Sequence, residues 1–102
     1  MNEVQCKGKE NGKLVFVLSG DIDSSKSDEL YATVVSAFET DKASVEFECA
    51  SLEFIDSTTL GTFVKILKAV KTHGFTVSFQ NLKPNIKKLF LICSLDSIME
   101  IA

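Results

Sequence analysis

The chain has 102 residues, 45% of them apolar and eight of them Phe, with 14 acidic against 11 basic side chains and a formal net charge of −3. A single domain of that size buries roughly 60–70% of the surface its unfolded chain exposes, so it needs neither disulfide nor metal to hold a core. The mild acidity and scattered lysines argue against nucleic acid as a partner, and three far-separated cysteines with no CxxC pair, Cys6, Cys49 and Cys93, argue against a disulfide framework and for reduced, cytoplasmic thiols.

The opening MNEVQCKGKENGK has no apolar h-region, and the longest apolar runs, Leu14–Leu18 and Leu89–Cys93, are too short to cross a bilayer. This predicts a cytoplasmic chain with no direct membrane insertion. Residues 3–6 suit a short edge strand, and Asn11-Gly12 has the signature of a hairpin turn feeding LVFVLS at 14–19. That run is apolar throughout, as expected of a central strand covered on both faces, and Gly20 is expected to end it. Ser25 or Ser27 is then placed to cap a first helix, in which Leu30, Val34, Ala37 and Phe38 make one buried stripe ending near Thr40 or Asp41.

SVEFEC at 44–49 alternates, with Val45, Phe47 and Cys49 on the dry face and a bend expected over 50–53. The second helix begins after FID at 54–56. It turns Leu60, Phe63, Val64, Leu67 and Val70 inward and Lys65, Lys68 and Lys71 outward, and stops at His73-Gly74. FTVSFQ at 75–80 alternates again, Pro84 opens a third helix with Ile86, Leu89, Phe90 and Cys93 on its apolar side, and the tail reads as a turn and a short apolar segment. Strands and helices alternate from residue 14 onward, which predicts an α/β fold with helices packed on a sheet.

The chemistry concentrates in FIDSTTLGTF at 54–63, where a carboxylate and three consecutive hydroxyls stand at a strand-to-helix turn. A serine hydrolase needs a His within hydrogen-bond reach of the Ser, but the one His, His73, lies sixteen residues along the same helix from Ser57, about 24 Å away at 1.5 Å per residue. No GxSxG elbow is present either. Asp21, Asp23 and Asp56 follow two strands that would end on one edge, and three such carboxylates could hold magnesium as in phospho-acceptor receiver domains. Those domains have five strand-helix units and a lysine ending the last strand, which this pattern lacks. A third reading makes Ser57 a regulated hydroxyl, since the first turn of a helix accommodates phosphate. Simple capping by Ser57 or Thr58 explains the same residues equally well.

The ordered set GDID at 20–23, IDSTTLG at 55–61, FVKILKAVKTHG, FTVSFQN and PNIKKLFLICSLDSI, across about 14–101, resembles the STAS domain of anti-sigma factor antagonists. The resemblance implies one domain over 1–102, a mixed β-sheet of the STAS type with helices packed on it, and no catalysis or cofactor of its own. Family members typically read DSSGLG or DSTGLG at the helix start, and the serine after the aspartate is phosphorylated, which carries over to Ser57 with Thr58 as a weaker acceptor. The implied binding surface comprises Asp21, Asp23, Ser24, Asp56, Ser57, Thr58 and Thr59. The implied partners are an anti-sigma factor serine kinase of the GHKL ATPase type, bound by the unmodified form so that the sigma factor is freed, and a metal-dependent serine phosphatase that resets the switch. A STAS-type adaptor in non-sigma signalling or transport, with Ser57 unmodified, is the second reading. Where the family usually has Gly, this chain has Thr59, expected to put β-branched bulk on the surface the kinase approaches.

Overall fold

Asn11 and Gly12 take φ of 53° and 81°, the doubly positive pair that a two-residue hairpin turn requires. They join β1 (Val4–Glu10) to β2 (Lys13–Ile22) in antiparallel register from Glu10↔Lys13 to Val4↔Leu18. The computed structural model describes residues 3–102. A register shift between Cys6 and Gly8 leaves Lys7 as an extra residue bulged from β1. The edge strand is thus longer than the 3–6 expected from sequence.

Three more strands follow in parallel: β3 (Ser44–Ile55) on β2, β4 (Val77–Gln80) on β3, and the two-residue β5 (Glu100–Ile101) on β4. Parallel neighbours need long crossovers, and each one here is a helix: α1 (Ser27–Thr40), α2 (Ser57–Lys71) and α3 (Pro84–Ile92). The sheet order is β1-β2-β3-β4-β5, so β2 is an interior strand as its apolar run predicts, with β3 in the middle of the sheet.

The helices lie on one face. Phe47 of β3 stacks on Phe79 of β4 at 5.0 Å, Phe63 of α2 meets both edge-on at 5.2 and 5.0 Å, and Phe90 of α3 closes on Phe79 at 4.8 Å. Such edge-to-face and offset pairs add to what area burial alone supplies. α1 packs against α2 through a stripe of Leu30, Val34 and Phe38, and the overall dimensions of 32 × 31 × 22 Å fit one sheet and one helical layer. On the other face Val15 and Val17 pair in register with Glu46 and Glu48, so the apolar run of β2 is not covered by helices on both sides as its sequence suggested.

β2 and β3 also run further than their alternation predicted. Gly20 pairs with Leu52 inside the ladder, which continues to Ile22↔Ile55. Two register shifts, between Val17 and Ser19 and between Gly20 and Asp21, each absorb one extra residue of β3. The buried positions of β3 accordingly run Val45, Phe47, Cys49, Leu52, Ile55, and the change of spacing made a continuous strand look like a bend. α2 ends as expected, with Gly74 at φ 84° donating to the Lys71 carbonyl at 2.9 Å.

Phe47→Ala is expected to cost about 3–5 kcal/mol, since it empties the centre of the aromatic cluster. Phe54→Ala, at a side chain on the surface of β3, is expected to stay within about 0.5 kcal/mol of the parent. Urea denaturation of the two variants checks the contrast.

Candidate functional site

The last rungs of the β2–β3 ladder, Asp21↔Phe54 and Ile22↔Ile55, deliver two loops to one edge of the sheet. From β2 the chain enters a 3₁₀ turn at Ser24–Lys26, and from β3 it enters α2 directly. In an open parallel sheet this carboxyl edge is where ligands and partners collect.

Asp56 is the residue that joins the two loops. With extended backbone angles it occupies the N-cap position of α2, where one carboxylate oxygen accepts from the Thr59 N–H at 2.9 Å. The other accepts from the Ser24 N–H of the neighbouring loop, also at 2.9 Å. Asp23 does the same for the 3₁₀ turn, its Oδ1 accepting from the Ser25 N–H at 3.0 Å and from the Ser25 hydroxyl. Asp23 thus caps the 3₁₀ turn and Asp56 caps α2, in place of Ser57 or Thr58, because a carboxylate accepts two or more N–H bonds at once while a hydroxyl offers less. α1 follows Lys26 with no side-chain cap, neither Ser25 nor Ser27 filling that role. Ser57 and Thr58 are left with exposed side chains on the first turn of α2.

The structure corrects the expectation for Thr59. Its side chain is 0% exposed and its hydroxyl donates to the Ile22 carbonyl at 2.6 Å, with the Asp56 carboxylate 3.0 Å away. The α2 positions that face the sheet include Thr59, so its β-branched bulk points into the protein and cannot meet an approaching partner. A glycine there would supply no such bond. Thr59 instead ties the end of β2 to the start of α2.

Asp21, Asp23, Ser24, Asp56, Ser57, Thr58 and Thr59 thus share one edge, but in different capacities. The Asp21 side chain is exposed, and its backbone carbonyl accepts from Lys26 Nζ at 3.0 Å. Lys26 was not singled out in the sequence. It also pairs with Glu3 at 3.3 Å, strapping the start of the chain to this loop, and no local pattern could have signalled a contact with so distant a residue. The carboxylates of Asp23 and Asp56 are turned toward N–H and O–H donors, and no set of three or more His, Cys, Asp or Glu side chains among the described residues is arranged to hold a metal ion.

The hydrogen bonds set the protonation behaviour. The Thr59 N–H holds the Asp56 carboxyl below its ordinary value of 3.8, helped by the Thr59 hydroxyl and the Ser24 and Thr58 N–H groups against partial desolvation. The Ser25 hydroxyl and N–H lower Asp23 in the same way, while the nearby Asp56 charge pushes it up. Away from the site, burial pushes the Cys49 thiol up to about 12, so it behaves as a small core side chain.

Residues 4–102 match the STAS domain family. The chain is a STAS domain. Among solved structures it is similar to Bacillus SpoIIAA in its phosphorylated form, at 19% identity and a TM-score of 0.76, over 97% of this chain and 90% of that one. An anti-sigma factor antagonist from Mycobacterium paratuberculosis matches at 18% identity and a TM-score of 0.80, over 96% of this chain and 82% of that one. The STAS fold is also similar to part of a murine Solute Carrier 26 anion transporter, at 10% identity and a TM-score of 0.73, over 92% of this chain and 17% of the transporter. At these identities the likeness is one of fold.

Thr59→Val keeps the shape but leaves the Ile22 carbonyl without its donor, and is expected to cost about 1–3 kcal/mol. Thr59→Ser keeps the donor and should stay closer to the parent, as thermal melts of the pair will report. Because the folded values of Asp56 and Asp23 lie below 3.8, their contribution is fully present above that pH and is lost as pH falls through the folded values. Protection of the Ser24 and Thr59 amides, taken relative to the intrinsic exchange rate at each pH, is expected to hold constant from neutrality to about pH 4 and to be lost below it. Asp56→Asn should remove that acid dependence at both amides.

Proposed function

We propose that this STAS protein is an anti-sigma factor antagonist that works by partner switching, with Ser57 as the switch. The observation that carries the reading is the exposed Ser57 on the first turn of α2, directly after Asp56 and on the same edge as the Asp23–Ser24 loop. A kinase can reach that hydroxyl without unfolding anything, since the bonds that hold the two loops together run through Asp56 and Thr59 instead.

The electrostatics support the sign of the switch. Phosphate adds about −1.5 to −2 charge. A helix N-terminus ordinarily absorbs such charge through its free N–H groups, but here the Thr59 and Thr58 N–H groups already serve the Asp56 carboxylate. A phosphate on Ser57 therefore adds its charge outward, beside Asp56 and Asp23, and turns a weakly acidic contact edge into a strongly acidic one. A partner fitted to the unmodified edge is repelled.

In this reading the unmodified protein binds an anti-sigma factor serine kinase of the GHKL ATPase type and frees the sigma factor. Phosphorylation of Ser57, with Thr58 as the weaker acceptor, releases the kinase, and a metal-dependent serine phosphatase restores the starting state. The contact surface comprises Asp21, Asp23, Ser24, Asp56, Ser57 and Thr58, with Thr59 supporting it from beneath. The protein is not itself an enzyme, and it acts in the cytoplasm. A STAS-type adaptor in non-sigma signalling or transport, with Ser57 unmodified, is the second reading, favoured by the fold likeness to a segment of an anion transporter.

Incubation with the cognate kinase and ATP, followed by phosphopeptide mapping, should place the phosphate on Ser57. Modification confined to Ser24, Ser25 or Ser27, or none, would overturn the proposal in favour of the adaptor. In calorimetric titrations Ser57→Ala should keep partner affinity, and Ser57→Asp should weaken it about tenfold or more. Equal loss in both variants would mean that the hydroxyl itself makes the contact and that charge does not operate the switch.

A further inference from the structure

All eleven basic residues of the chain are lysines, and no Asp or Glu lies between Asp56 and Asp96. That acid-free span holds Lys65, Lys68 and Lys71 on α2 and Lys87 and Lys88 on α3. Among the described residues the ion pairs are Lys9–Asp41, Lys13–Glu46, Lys26–Glu3 and Lys83–Glu53, so none of these five helical lysines is ion-paired, although Lys65 faces α1 across a cleft shared with Asp28. The two helices that carry them meet through Phe63 and Phe90, whose ring centroids are 6.0 Å apart. Large apolar side chains stand on the same part of the molecule: α3 buries Ile86 and Phe90 but exposes Leu91 at 46% and Ile92 at 68%, with Ile98 exposed just beyond the following turn.

We propose that α3, together with Lys68 and Lys71 of α2, forms a site for reversible adsorption to an anionic lipid surface. The arrangement of the two residue classes decides for lipid over an acidic protein. Protein interfaces place an apolar patch at the centre with charge excluded from it, and they are depleted in lysine. Here lysines alternate with the exposed Leu and Ile around one short helix, so no charge-free centre exists. At a headgroup layer that mixture is favourable, because the ammonium groups meet lipid phosphates while the butyl stems lie alongside apolar tips that reach the acyl boundary. Lysines that are scattered in sequence but share this face add attraction to the anionic leaflet that fades within a Debye length. No described helix is long and apolar enough to cross a membrane, so the site rests on the surface. This inference does not depend on phosphorylation of Ser57.

Co-sedimentation of the full chain with vesicles tests it, comparing pure phosphatidylcholine with equal parts phosphatidylcholine and phosphatidylserine. Binding is expected on the mixed vesicles alone and should fall as salt rises, the Debye length shrinking from about 30 Å at 0.01 M to about 8 Å at 0.15 M. The double variant Lys87→Glu/Lys88→Glu should lose at least about tenfold in partitioning, and Ile92→Ser should weaken binding at every salt concentration. Each of these side chains is at the surface, and melting curves matching the parent verify that the variants are folded. Equal binding to both vesicle types, no binding to the mixed vesicles at low salt, or wild-type partitioning of the double variant would overturn the proposal. Retention on polyglutamate without vesicle binding would also overturn it and give the face to an acidic protein partner.

Discussion

The pairing of β2 with β3 down to its last rung is the constraint on which the rest of the structure depends. Because the ladder reaches Ile22↔Ile55, two segments far apart in sequence leave the sheet side by side. Asp56 can then accept from Ser24 while capping α2, and Thr59 can reach the Ile22 carbonyl. Had the ladder stopped at Gly20, as a glycine in a strand suggests, neither bond would have a partner in reach. The extra residues taken up inside β3 keep the two strands in step over that distance. The aromatic cluster of Phe47, Phe63, Phe79 and Phe90 grips α2 near its middle through Phe63, so the helix is held both at its cap and along its buried face.

Features set by neighbours in the chain could be read without the structure. The Asn11-Gly12 turn, the stripe of α1, the lysine-bearing outer row of α2, Gly74 after it and Pro84 at the start of α3 all follow from local backbone preference or periodicity. Features that depend on distant partners could not. The shifts within β3 broke the period of two, since a bulge is defined by the strand across from it. Thr59 illustrates the same limit: its hydroxyl answers a carbonyl 37 positions away, and without that knowledge a hydroxyl residue in a helix's first turn reads as surface. The STAS resemblance supplied the site as a set of residues. The fold divides that set into side chains that face outward and side chains that hold the edge together.

That division separates two demands usually in conflict. A modifiable serine that also capped its helix would disturb the fold each time it changed state. Here the capping is done by Asp56 and the cross-loop tie by Thr59, so Ser57 is free of structural duty. Under the proposed switch, phosphate on Ser57 would change the charge of the edge while its shape stays the same, and a partner would sense electrostatics rather than a rearrangement.

The outermost strands carry a consequence for how the protein meets others. A regular unpaired strand invites another chain to add to the sheet. On one side of this sheet Lys7 bulges from β1, placing a charge and a break in the repeat, and on the other β5 offers two residues. Both margins are poor templates for strand addition, which directs association to the loops and helices. A chain built this way can be crowded by its own copies without their sheets joining edge to edge.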